Sequence, residues 1–234
     1  MKRHLTWTGI IMIMTLLSAG CTQESFRDLF TLKSVRRVTQ PTPEAEVEEL
    51  REMARGYEDE INEKIEALGI KFLLRQNWQL AVESLKKAIT YGNTSDDVHR
   101  HLGIAYANRA REINQVEDYR KAVYHYERAL EINSGNVSAR FGLGMVLFYG
   151  LEERKKGLAE TKMAAEGDAA FFDARFAYGR MLYDLDRKSE ALRVYQGILE
   201  DLENAPSEEY DQHREDVRQN INQLTVELSN DARQ

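Results

Sequence analysis

Cysteine occurs once in the 234 residues, at Cys21, and proline three times. A single thiol cannot cross-link its own chain, which excludes a disulfide scaffold. Three prolines beside 14 glycines exclude collagen-like and low-complexity polymers. Basic excess is missing as well: 32 Lys and Arg stand against 39 Asp and Glu, a net charge of −7, unlike a strongly basic nucleic-acid binder. Chemical signatures are also lacking. There is no Gly-x-Ser-x-Gly, no phosphate-binding glycine loop and no His-Glu-x-x-His. The histidines are His4, His99, His101, His125 and His213. His99 and His101 fall two apart, on opposite sides of a helix, so the set is taken as packing or surface residues rather than metal ligands. The acidic residues alternate with Lys and Arg four positions away, the pattern of a solvated helix face. No catalytic residue, metal site or cofactor is therefore expected, and no enzyme. What is present, 42% apolar and 30% charged residues, is ordinary globular composition.

Residues 1–20 have the form of a signal peptide: Lys2, Arg3 and His4, an apolar run from Leu5 to Leu17, then Ser18-Ala19-Gly20. At about 1.5 Å per residue that run covers under ~20 Å, too short for a ~30 Å hydrocarbon core. Leu17-Ser18-Ala19-Gly20-Cys21 resembles the lipobox of bacterial lipoproteins, with leucine one place further out than is commonest. The resemblance implies cleavage before Cys21 and a covalent lipid on its thiol. Thr22 in place of aspartate then implies, by the family's sorting rule, the outer membrane, facing the periplasm. The alternative is an ordinary signal peptide with a chance cysteine.

Removal of Lys2 and Arg3 leaves 30 basic and 39 acidic residues, and the charge is uneven. Residues 22–43 carry Arg27, Lys33, Arg36 and Arg37 against Glu24 and Asp28, a balance of +2; the rest carries −11. A basic stretch beside a lipid suits an anionic membrane surface; a plain solvated tether accounts for it equally well. Pro41 and Pro43 close the segment, since each disfavours helix in its predecessor. The expected organisation is a signal at 1–20, a lipid-anchored tether at 21–43 and a helix at 44–61. A repeat array follows at 62–205, and a capping helix at 206–234.

The array announces itself by period. Gly69, Gly103, Gly144 and Gly179 each follow a large residue, at spacings of 34, 41 and 35. Ala81, Ala122, Gly157 and Ala191 form a second column, and Ala88, Ala129, Ala164 and Ile198 a third. The odd interval locates a seven-residue insertion between the two halves of the second unit, around residues 108–118. Small residues in register let paired helices approach, while Phe72 with Leu85, Tyr106 with Tyr126, and Leu182 with Tyr195 fill the space beside them. Asn93-Thr94-Ser95-Asp96 and Asn133-Ser134-Gly135-Asn136 supply helix caps. One such unit cannot bury its own apolar face, so the units must stack.

These columns resemble the tetratricopeptide repeat, above all in Leu102-Gly103-Ile104-Ala105-Tyr106 and Tyr126-Glu127-Arg128-Ala129-Leu130. The resemblance implies an all-α solenoid of about four helix-turn-helix units, near 62–95, 96–136, 137–171 and 172–205, with flanking N- and C-terminal helices. The closing proline of the pattern is missing throughout. In the third unit Gly157 and Thr161 replace an alanine and an aromatic, which argues against a stable second helix there.

In such arrays the first helix of each unit lines a concave face. Carried onto this chain, the inward positions include Arg100, Ile104, Ala107 and Asn108, then Phe141, Met145, Phe148 and Tyr149, then Phe176, Arg180, Tyr183 and Asp184. Phe141, Met145 and Phe148 make an exposed stripe at i, i+4 and i+7, the signature of a binding surface; the chain's own termini are the competing occupants. Glu66 and Ile70 stand where a carboxylate clamp would begin, so a co-chaperone role is not expected. Arg109 and Arg111, in the insertion, either form a basic rim with Arg100 and Arg180 or pair with Glu112, Glu117 and Asp118. Tyr210, Val217, Ile221, Leu224 and Leu228 form one apolar stripe suited to capping the last unit.

The function this implies is a membrane-anchored periplasmic adaptor that holds a protein or peptide partner in its groove, with no nucleic acid and with homo-oligomers left open. In plan it is similar to repeat lipoproteins that serve outer-membrane protein assembly, pilus secretion or regulation of cell-wall hydrolases. The alternative is a ligand-delivery component of a transport system, which calls for a closed apolar pore. Replacing Cys21 with serine should abolish acylation and leave the chain soluble or uncleaved. Undiminished membrane retention of that variant in high salt would overturn lipidation.

Overall fold

The computed structural model describes residues 43–204 and 210–232, and among them every regular element is helical. Cys21 and the tether lie outside the described residues. From Gly56 onward the chain forms one compact unit. In chain order the helices are α1 (Pro43–Leu74), α2 (Trp78–Thr90), α3 (Asp96–Ile113), α4 (Val116–Ile132), α5 (Val137–Met145), α6 (Arg154–Gly167), α7 (Phe172–Asp184), α8 (Lys188–Asn204) and α9 (Asp211–Asp231). A single π-helical turn, Val146–Gly150, continues α5. From α2 on, each helix packs on the next in sequence. The result is a tetratricopeptide-type α-solenoid in which α3, α5 and α7 are the first helices of successive units.

Helix α1 passes through residue 61 without a break, so the separate helix expected at 44–61 and the first helix of the array are one. Polar caps set the entrances to later helices. Asn77, Ser95 and Asn136 accept from the N–H groups of Leu80, Val98 and Ala139 at 3.2, 3.3 and 2.9 Å. The same loops tie neighbouring units together. Asp96 accepts from the side-chain amides of Asn133 and Asn136 at 2.8 and 2.9 Å, and these bonds hold its carboxyl below the ordinary range. Asn62 donates to the Tyr91 carbonyl at 2.7 Å.

The insertion is absorbed chiefly by lengthening of α3, which has 18 residues against 13 in α7; α4 has 17, as α8 does, against 13 in α2. Seven residues are about two turns at ~3.6 per turn, so the buried stripe keeps its register. Asn114 turns the chain in the left-handed region, with φ of 52°.

The helices meet at glycine. Tyr126 lies over Gly103 and Gly142, Tyr195 over Gly179, and Leu85 over Gly69, each so close that a Cβ on the glycine would collide with it. In the third unit the chain does something else. Helix α6 forms in full, and Gly157 and Thr161 are buried in it. A Cβ at Gly157 would stand 2.5 Å from the Phe148 nitrogen and 2.7 Å from the Gly144 carbonyl oxygen. Where the other units place a large side chain over glycine, this one brings two backbones together, and the smallness of Gly157 and Thr161 is the cause. The pattern that argued against this helix is what packs it.

The buried apolar residues fall into two clusters. One runs from Ala81 to Leu147; the other gathers Leu182, Ala191, Tyr195, Ile198, Leu202, Val217 and Leu224. Val217 and Leu224 seat α9 on the last unit. Phe148 and Met181 are buried outside both clusters, and the other buried positions between the clusters are small: Gly157, Thr161, Ala164 and Ala174.

Gly157→Ala should therefore destabilise the fold by about 1–3 kcal/mol, since backbone rather than a flexible side chain must move. Gly56→Ala, in helix α1 with nothing within 4 Å of the new Cβ, should instead stabilise by up to ~1 kcal/mol through helix propensity. Urea melts of both variants check the pair of signs.

Candidate functional site

The concave face carries two cavities that share Phe141. The first, about 380 Å³, lies between α3 and α5. Ile104, Ala107, Asn108 and Arg111 form one wall; Phe141, Met145, Val146 and Tyr149 form the other, with Tyr119 and Tyr126 of α4 behind. The second, about 720 Å³, lies between α7 and α9, with Phe141 and Phe176 facing Asp173, His213, Asp216, Gln219, Asn220 and Gln223.

The π turn explains the first cavity. The Leu151 N–H donates to the Val146 carbonyl, five residues back, at 3.0 Å. Such a turn holds more residues than an α turn, so side chains beyond Met145 fall behind the α-helical register. Phe148 is thereby carried off the concave stripe into the core, 3% exposed, where its backbone meets Gly157. Tyr149 is brought into line with Phe141 and Met145 and stays 47% exposed. Its hydroxyl donates to Asp184 at 3.0 Å. Burial and that bond push the phenol up to about 12, so the proton stays on the tyrosine. The i, i+4, i+7 stripe inferred from sequence is thus corrected at its last member: Tyr149 lines the groove and Phe148 does not.

Other candidate residues are placed as follows. Ile104 and Asn108 line the first cavity, and Phe176 the second. Arg100 stands outside both linings, bonded to Asp97 at 2.8 and 3.1 Å. Arg180 pairs with Asp184 at 3.0 Å and lies over the Tyr183 ring; Tyr183 donates to Glu227 of α9 at 3.0 Å. Of the two alternatives for Arg109, pairing is the one that forms. Arg109 makes a two-toothed pair with Asp118, at 2.7 and 3.0 Å, and reaches Gln79 at 2.6 Å. Asp118 is 1% exposed. Burial pushes its carboxyl up, but bonds from Arg109 and Lys121 outweigh this and hold it below the ordinary range. Of the arginines proposed for the rim, Arg111 reaches the lining of the first cavity, where it donates to Asn108 at 3.0 Å, and Arg180 lines a small recess with Tyr183 and Gln223.

Sequence reasoning missed the α9 wall. Asp216, Gln219, Asn220 and Gln223 flank an apolar stripe that drew attention to the buried side, whereas the groove takes the polar side. An amide-rich run beside a capping stripe was the available signal. The helix borders the groove rather than filling it.

The histidines pack. His99 faces His125, Nδ1 to Nδ1 at 3.0 Å, and the His125 ring stacks on Tyr106, with centroids 5.5 Å apart. His101 turns the other way, toward Glu66 of α1 at 3.7 Å. Burial, with Arg100 nearby, brings His101 down to about 4; burial, with His99 and Lys86, does the same for His125.

This geometry defines a class: a helical repeat protein of the tetratricopeptide type. Solved structures agree on the fold. The chain is similar to MamA (23% identity, TM-score 0.54, covering 62% of this chain and 80% of that one). It is also similar to TTC0263, a thermophilic TPR protein of Thermus thermophilus (21%, 0.57, 70% and 81%). A third is PilF of Pseudomonas aeruginosa (18%, 0.58, 74% and 71%). No protein-family profile matches the chain, and no curated protein matches it.

His101 and His125 are neutral when folded, while the unfolded chain takes up protons near pH 6.5. Their contribution is present above pH 6.5 and is lost as the pH falls toward 4. The melting temperature should drop across that window, and less so in His125→Gln. A pH-independent melt between 7 and 4 would contradict the assignment.

Proposed function

We propose that the protein is a lipid-anchored adaptor of the bacterial envelope, held by Cys21 in the outer membrane and facing the periplasm, whose concave face takes a segment of a partner protein. The supporting observation is the first cavity: half-buried Phe141 and Met145 and exposed Tyr149, aligned by the π turn, line it opposite Ile104 and Asn108. Methionine beside aromatics adapts to varied apolar side chains. Apolar residues grouped in a cleft with exposed polar edges suit a protein anchor. A delivery role would call for a closed apolar pore; this cleft has an exposed rim at Ser138 and Tyr149. Among the described residues no helix is long and apolar enough to cross a membrane; in this reading the attachment is the lipid on Cys21.

A photo-crosslinking residue at Ser138, inside the cleft, tests this in whole cells against one at Tyr124, exposed on α4. The expected result is a discrete adduct from Ser138 only, lost when Met145→Lys is added. Identical adducts from both positions, or adducts indifferent to Met145→Lys, would overturn the groove reading.

A further inference from the structure

The two cavities differ in charge. Among the described residues no acid lines the first, and Asp184, which Tyr149 of its wall contacts, is paired with Arg180. In the second, Asp173 and Asp216 face the same space, and neither has a cationic partner among the described residues. Asp216 accepts a hydrogen bond from Gln212 at 2.8 Å. The nearby arginines are committed elsewhere: Arg175 to Asp201, Arg140 to Glu160, Arg214 to Asp211 and the Leu202 carbonyl. Asp173 sits in the first turn of α7, where the helix end favours an acid. That does not account for Asp216, which lies beyond the first turn of α9. Phe141 and Phe176 supply apolar ring surface beside the two carboxylates, and His213 is packed against the Phe176 ring, with centroids 6.0 Å apart.

Carboxylates beside aromatic faces form a receptor for a cation on an apolar stem. The methylenes of Lys or Arg lie along apolar surface while the head group meets the acids, and an arginine also gains from ring faces. We propose that the second cavity is a cation-selecting subsite that takes a Lys or Arg side chain of the same partner segment whose apolar residue occupies the first, Phe141 being the shared wall. This rests on the groove reading above and adds the partner's chemistry: an apolar anchor with a basic residue on the α9 side. Exposed charge contacts of this kind select and orient more than they hold.

The test uses the purified full chain in detergent and three fluorescent nonapeptide pools with the same apolar and aromatic content, carrying two Lys or Arg, two Gln, or two Glu. Anisotropy should show the basic pool binding about fivefold tighter than the Gln pool, a margin typical of exposed charge pairs, with the Glu pool weakest and the differences shrinking as salt rises. Asp173→Asn with Asp216→Asn should erase the preference while leaving binding of the Gln pool unchanged, with a slightly lower melting temperature because α7 loses its first-turn acid. Asp216→Lys should turn the preference toward the Glu pool. Pools that bind equally, or a basic preference that survives the double substitution, would overturn the subsite and leave the groove reading standing. No binding by any pool would overturn both.

Discussion

The fold depends on how closely two helix backbones can approach within each unit. At Gly69, Gly103 and Gly179 the first helix offers a surface without a Cβ, and a large side chain of the second helix lies across it. At Gly144 the partners are the small Thr161 hydroxyl and the backbone of Thr161 and Gly157. These contacts fix the distance between paired helices and so the angle at which each unit passes to the next. The width of the concave face is set by them, because α3, α5 and α7 can stand no further apart than their second helices allow. Interiors packed this tightly resist added volume, which is why the glycine column is the least negotiable part of the chain.

Within that frame the groove owes its character to one irregular turn and to the distribution of ion pairs. The π turn at Val146–Gly150 exchanges Phe148 for Tyr149 on the concave stripe. The pairing of Arg109 with Asp118 takes a cation out of the surface and uses it to join the lengthened α3 to α4. Removing either member would strand a charge with little access to water, which is costly even where the intact pair contributes little. Charge that remains unmatched on the concave face is thus set apart from the many surface pairs that hold helix to helix.

Much of this was legible in the chain. Three columns of small residues revealed period, unit number and the site of the insertion, because helix crossings tolerate few side chains and those few must recur with the repeat. The cap residues were legible for a similar reason: Ser95 and Asn136 satisfy N–H groups that nothing else reaches. Other features were not. Phe148 was misplaced because periodicity assumes uniform α geometry, and no residue in Val146–Gly150 marks a wider turn. The partner of Arg109 was one of three acids nearby, and only the paired helices bring Asp118 against it. The second helix of the third unit was undervalued because its departures were weighed one residue at a time, whereas Gly144, Gly157 and Thr161 act together. The α9 wall escaped because an apolar stripe says which side of a helix is buried and nothing of what its polar flank will face.

The division of the core into two clusters has a mechanical consequence. Phe148 and Met181 are buried outside both clusters, beside the small residues Gly157, Thr161, Ala164 and Ala174. In a solenoid each unit is held only by its neighbours, so a break in the apolar core is a place where its curvature can change. Phe141 and Phe176 stand on either side of it along the concave face. A segment lying across both cavities would span that seam like a brace, stiffening the two halves against each other. Its affinity would then carry the elastic cost of setting the bend, and by linkage the occupied array would be harder to unfold than the empty one.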